Sequence, residues 1–245
     1  MPKLGLSIGL SNTGKPITPG IVTSNLVMKH MYPAGAVQPV SDGACYFGGG
    51  STEDRITITE TVFNVDGAAY TFAFWAKRMA LGTNHTVLGH TDTASYKRII
   101  LSSGNDLVVE SDTNDDAIVV TPNVEDLAWH HYAVTITGSG STAVAYQDGV
   151  LCSDSGDVAS NNMTINMIGA SNAGGADNEF HGYLCNIGVW EAVLTQAQVK
   201  SIMWKQYTDL TTTESDNLIH WWALDEGTGT SATDSKGGNT GTFAS

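Results

Sequence analysis

One stretch constrains this chain more than any other: Trp129 to Val150, WHHYAVTITGSGSTAVAYQDGV. Two runs of alternating apolar and polar residues flank a Gly/Ser turn, and the second run ends in Asp148-Gly149, a strong signal for a tight two-residue turn. Alternation with period two belongs to strands with one face buried. Antiparallel strands joined by short turns are therefore the organising element, and 245 residues is enough for one large all-β unit with a full core.

The rest of the chain keeps this pattern. Arg55-Ile56-Thr57-Ile58-Thr59 alternates, and Tyr70 to Lys77 places Phe72 and Phe74 on one face and Ala73 and Trp75 on the other. Further strand-like runs are Ala44 to Phe47, His85 to Gly89, Arg98 to Ser102, Leu107 to Glu110, Ala117 to Val120, Asn162 to Gly169 and Phe180 to Trp190. They recur at the spacing expected of a sandwich or jelly roll. One helix is predicted over 196–205, capped by Thr195, with Val199, Ile202 and Met203 on its apolar side. Residues 1–24 are rich in Gly, Pro, Ser and Thr and read as an extended arm, with the globular unit spanning 25–245.

Net charge is −14, and no Lys or Arg falls between Arg98 and Lys200. Such a surface repels phosphate backbones, anionic membranes and polyanionic glycans, so neither nucleic acid nor membrane is an expected partner. The N-terminus lacks a signal-peptide core, and no apolar run reaches transmembrane length, which implies synthesis in the cytoplasm. Cys45, Cys152 and Cys185 are odd in number and widely spaced, unlike a disulfide framework or a zinc site.

The motif W-H-H-h-A-h-T…h-Y-h-D-G, met here at 129–150, resembles the central hairpin of laminin-G-like, concanavalin-A-like jelly rolls. The resemblance implies a two-sheet antiparallel jelly-roll sandwich, and a family made mostly of binding and adhesion modules. Phe180 to Trp190 followed by Leu194-Thr195 resembles the last core strand and closing helix. Asn217 to Phe243, NLIHWWALDEGTGTSATDSKGGNTGTF, resembles the family's opening segment, displaced to the C-terminus. Residues 25–50 show the same strand–loop–strand logic, so two opening elements flank one body. The displaced element, 217–243, is too short to be a domain and must pair on this sandwich or on a neighbour.

Candidate chemistry is sparse. Glycan hydrolases of related fold carry E-x-D-x-x-E on one strand; the nearest match is Glu110-Ser111-Asp112-Thr113-Asn114-Asp115, whose polar filling reads as a solvated turn. Adjacent His130 and His131 point to opposite faces, so they cannot form one ligand pair; one is expected to cap a backbone group and the other to face solvent. No nucleophile–base or phosphate-loop motif is present, and the chain reads as a non-enzyme. Oxygen-rich loops suit Ca2+, and two are candidates: Asp234 with Asn239, and Asp112, Asp115 and Asp116. For sugar, Trp221 or Trp222 would be an exposed stacking ring, with Trp190 and Trp204 behind them, and Asn172, Asp177 and Asn178 would supply polar groups.

The opening runs GLSIGLSNTG, TPGIVTSNLVMKH and GAVQPVSDGACYF resemble the start of virion structural proteins of marine tailed phages. That resemblance implies a location on the virion surface as a capsid decoration or tail-associated protein. Its partners would be other virion proteins, host-surface glycan and further copies of the chain in a homo-oligomer. A free carbohydrate-binding lectin is the alternative, and a degenerate glycoside hydrolase a third.

Overall fold

The computed structural model describes residues 37–49, 54–65, 67–92, 96–111, 117–120, 126–138, 142–157, 162–172 and 179–244. All of them belong to one compact unit, Gly35–Ser245. The predicted arm, 1–24, lies outside the described residues.

Among the described residues the strands form two antiparallel sheets. In chain order they are β1 (Cys45–Gly48), β2 (Ile56–Phe63), β3 (Tyr70–Arg78), β4 (His85–Gly89), β5 (Arg98–Leu101), β6 (Leu107–Glu110), β7 (Ala117–Val120), β8 (Trp129–Ile136), β9 (Thr142–Gln147), β10 (Val150–Asp157), β11 (Met163–Ile168), β12 (His181–Trp190), β13 (Leu218–Trp222), β14 (Ser231–Ala232) and β15 (Gly241–Phe243). One sheet runs β1-β12-β3-β8-β9-β10, with β13 also on β12; the other runs β14-β15-β2-β11-β4-β5-β6-β7. Their inner faces meet over Phe72, Phe74, Tyr132, Val134, Leu184 and Ile187 from the first sheet and Ile56, Ile99, Leu101 and Ile165 from the second. The alternation read in β3 and β8 is the pleat that sends these side chains inward.

The two opening elements share one strand. β3 occupies one edge of β12 along its length, from Gly182↔Arg78 to Trp190↔Thr71. On the other edge β1 pairs with the first half, Leu184↔Cys45 to His181↔Gly48, and β13 pairs with the second half, Ile187↔Trp222 to Trp190↔Leu218. The two lie end to end. Asn186 sits at the junction with φ 49, in the left-handed region that Asn tolerates. Its N–H donates to Ala223 O at 3.0 Å and its Nδ2 to Val40 O at 2.9 Å, so one residue ties both segments.

The displaced C-terminal element, 217–243, is split between the sheets. β13 joins the first sheet, whereas β14 and β15 form a ladder on β2 in the second. It thus closes one end of the sandwich from within the chain.

The first sheet is also covered on its outer face. Helix α1 (Gln196–Ile202) opens with the predicted Thr195 cap, whose side chain and that of Gln198 form a reciprocal capping box. It ends three residues earlier than predicted. The last turn tightens as Trp204 N–H and Lys205 N–H bond the Ser201 and Ile202 carbonyls, and Met203 O turns in to accept from Trp75 Nε1 at 3.1 Å. Val199 and Ile202 pack on Ala73, Ala133, Trp190 and Trp221.

The Trp129–Val150 motif seats this helix. Asp148 (φ 53) and Gly149 (φ 73) make the expected left-handed turn. Asp148 Oδ1 accepts from His131 N–H at 2.9 Å and Oδ2 from His130 Nδ1 at 2.7 Å, and Gly149 O accepts from Gln196 Nε2 at 2.9 Å. At the far end of α1, buried Glu214 accepts from Ser201 Oγ, Lys205 Nζ and Thr211.

Asp148→Ala is expected to lower unfolding free energy by about 2–4 kcal/mol, because it removes two charge-assisted bonds and leaves His130 short of a counter-charge. Asp148→Asn keeps the backbone conformation and an acceptor, and is expected to lose less. Urea denaturation of both variants checks the order.

Candidate functional site

The residues singled out in the sequence do not converge on one site. Trp221 and Trp222, expected to expose one ring, are both buried, at 2% and 1%. Trp222 lies in the inter-sheet core, stacked on His220 at 5.0 Å with Nε1 donating to Asn239 O. Trp221 lies on the outer face, but the helix and Tyr207 cover that face, and it packs edge-on to Trp190 at 6.1 Å. The expectation failed because alternation tells which residues share a face, not whether another element caps that face. Trp190 is buried too, and Trp204 is half-buried against Trp75.

Asp234 and Asn239, expected as cation ligands, are structural. Asp234 Oδ1 accepts from the N–H groups of Trp221, Lys236 and Gly237, and Oδ2 from Asn239 N–H and His220 Nδ1. Burial alone would raise this carboxyl, but the His220 and backbone donors outweigh it and hold it far below the usual carboxylate range. Asn239 bridges to β2, with Oδ1 accepting from Thr59 N–H and Nδ2 donating to Thr59 O and Thr61 Oγ1. Among the described residues no group of three His, Cys, Asp or Glu side chains is placed to hold a metal ion. Asp112, Asp115, Asp116, Asp177 and Asn178 lie outside the described residues. Asn172 is half-buried, and its N–H donates to His90 O at 3.1 Å.

The histidine pair also departs from expectation, since neither ring faces solvent. His130 lies between two carboxylates, Asp148 at 2.7 Å and Asp126 at 2.9 Å. Burial pushes its pKa down, but the two acids together raise it above the ordinary imidazole value. His131 is enclosed on the other face beside Trp75, at 5.4 Å, and burial pushes it down to about 4. His85, whose Nδ1 accepts from His181 N–H, is likewise pushed down to about 4 by burial and then by the charge of Arg78. Glu110 is paired with Arg98 across β5 and β6, both largely buried. The three cysteines are free thiols, and burial pushes Cys45 and Cys185 up to about 12.

The structure shows a different site, at the seam of the two opening elements. A cleft of about 230 Å3 opens between residues 44–46 at the start of β1, the loop 224–229 and Phe243. Tyr46 is among its lining residues and is 53% exposed. Leu224, in its wall, holds φ 58, a strained conformation for a bulky residue. Glu226 lines it and is oriented by Thr233 N–H, which donates to Oε1 at 2.6 Å. Neighbouring Asp225 is raised above the usual carboxylate range by burial, then by the charges of Glu226 and Asp42. The Glu226 carboxylate in this small cleft can accept hydrogen bonds from hydroxyl groups, and the exposed Tyr46 nearby offers an aromatic ring. Only DEG at 225–227 hinted at it. Its other wall comes from β1, about 180 positions away in the chain.

This fold has relatives. Residues 49–200, more than half of the chain, match the laminin-G-like model described as "Concanavalin A-like lectin/glucanases superfamily". The chain belongs to that superfamily. Its laminin-G-like body is 29% identical over 144 residues to a rat protein containing sushi, von Willebrand factor type A, EGF and pentraxin domains, covering 55% of this chain and 4% of that protein. Among solved structures it is similar to a Bacteroides ovatus protein assigned to carbohydrate binding, with TM-score 0.57, 20% identity, and 77% of this chain and 55% of that one covered. A heptameric pentraxin of Limulus polyphemus gives TM-score 0.45 and 17% identity, with 64% of this chain and 80% of that one covered. The chain spans about half of the first structural relative and a small fraction of the rat protein. The family match and the likeness to the Bacteroides ovatus structure agree with the two-sheet fold.

Two outcomes follow for this laminin-G-like domain. Asp234→Ala is expected to lose about 3–5 kcal/mol, equally in calcium and in chelator, because the carboxylate holds backbone rather than metal. For pH, unfolded His85 and His131 bind protons near pH 6.5 but the native residues do not until about pH 4. Stability is therefore lost as pH falls from about 6.5 toward 4. His130 has the opposite sign: its contribution is full below about pH 6.5 and is lost as pH rises through its raised value. Urea midpoints are expected to fall between about pH 7 and pH 4.5, and His131→Phe to flatten that slope.

Proposed function

We propose that this protein is a non-enzymatic, lectin-like binding protein whose cleft between β1 and the 224–229 loop takes a neutral sugar. The observation that supports the reading is the cleft's chemistry: the Glu226 carboxylate, which can accept hydrogen bonds from hydroxyls, near the exposed Tyr46, on a fold shared with a protein assigned to carbohydrate binding. Neutral sugar fits a chain of net charge −14 better than a polyanion does. A non-catalytic role fits Glu226 being tied to Thr233 and Glu110 to Arg98. Screening on neutral glycans is expected to give weak binding that Tyr46→Ala or Glu226→Gln reduces about tenfold. Binding unchanged in both variants would move the site elsewhere; turnover of any bound glycan would revive the hydrolase reading.

A finer reading places this domain on a phage virion, where it would decorate the capsid or tail and touch host-surface glycan. What supports it is the resemblance of 5–14, 18–30 and 35–47 to virion proteins of marine tailed phages. Mass spectrometry of purified particles is expected to find the protein in many copies, and its absence from particles would leave the free lectin.

A further inference from the structure

Four buried side-chain polar atoms have no hydrogen-bond partner among the described residues: Thr86 Oγ1, His131 Nδ1, Asn186 Oδ1 and Trp221 Nε1. The last three belong to residues that line one small space on the outer face of the first sheet, beneath α1. His131 comes from β8, Asn186 from β12 and Trp221 from β13. Ala73, Trp190 and Ile202 supply apolar wall. The three polar residues are 3%, 4% and 2% exposed, so bulk solvent does not serve them. A buried polar group left unpaired is destabilising, and three in one place call for a shared partner.

The donor set says what that partner is. Trp221 Nε1 can only donate. Asn186 spends its Nδ2 on Val40 O at 2.9 Å, which fixes Oδ1 as the atom left over, and it can only accept. Burial keeps His131 neutral, so its Nδ1 accepts when the ring proton sits on Nε2. Trp75 also lines the space, but its N–H is already given to Met203 O. A cation would face the Trp221 N–H, and an anion would face Asn186 Oδ1. Only a neutral molecule that both donates and accepts meets all three. The space leaves no slack for a loosely held occupant. It therefore limits that molecule to one water, drawn in to hydrogen-bond distances of about 2.7–3.2 Å.

We infer that His131, Asn186 and Trp221 hold a single buried water between the first sheet and helix α1. The water accepts from Trp221 Nε1 and donates to Asn186 Oδ1 and His131 Nδ1, three bonds in all, as internal waters commonly make. It joins β8, β12 and β13 on the face that α1 covers. Asn186 already ties β1 and β13 through its main-chain N–H and Nδ2, and the water engages its remaining side-chain atom.

The test is a high-resolution crystal structure of the full chain, with water-selective cross-relaxation NMR in solution. Solvent density is expected within about 2.7–3.2 Å of all three atoms. A cross-relaxation peak from water to the Trp221 indole N–H is expected as well, assigned by its loss in Trp221→Phe. His131→Phe, which removes an acceptor and puts ring carbon against the space, is expected to abolish the density and the peak. The crystal structure of the unaltered protein decides the matter even if that variant does not fold. Two results overturn the inference: direct pairing of Trp221 Nε1 with Asn186 Oδ1 or His131 Nδ1, or three unpaired atoms with no ordered solvent between them and no cross-relaxation. Density and peak that persist unchanged in His131→Phe overturn the three-residue site as well.

Discussion

The structure depends on the need to satisfy β12 on every side. This strand runs through the middle of the first sheet, so both edges need hydrogen-bond partners over its length and both faces need cover. β3 supplies one edge. No single neighbour supplies the other, which is shared by β1 from the start of the described chain and β13 from its end. Asn186 makes the sharing workable: its left-handed backbone accommodates the break in pairing, and its main-chain and side-chain N–H groups reach one carbonyl on each segment. The cleft lies at the seam this sharing creates.

Cover for the outer face explains why tryptophans that look available in the sequence are not. Ala73, Ala133 and Gly188 are small, and they let helix α1 approach the sheet closely. The large rings of Trp75, Trp190 and Trp221 fill the space around it. A Cβ at Gly188 would fall 2.6 Å from the Trp190 ring, so that close fit leaves no room for a larger residue.

Hydrogen-bonded carboxylates hold the irregular parts in place. Asp148 fixes the turn under α1, Glu214 joins the end of α1 to the next segment, and Asp234 pins the C-terminal loop to β13. Burial works against the charge at Glu214 and at Asp234, and three or more donors compensate at each. A stretch rich in Asp, Gly and Asn therefore has the same composition whether it chelates a cation or knots its own backbone. The spacing 234–239 resolves to the second because the donors are already within reach.

The sequence by itself determined the class of fold and much of its wiring. Period-two alternation in Tyr70–Lys77 and Trp129–Thr135 gave the pleat and the inward residues, Asp148-Gly149 gave the tight turn, and Thr195 gave the helix start. These are local signals, set by side-chain direction and backbone sterics within a few residues. Only the tertiary structure decided which faces were left open, that two distant segments share β12, and that Asp234 is saturated. It also set His131, Asn186 and Trp221 around one space. Those facts depend on register between strands and on which element lies over a sheet, and long-range packing fixes both after the local pattern is spent.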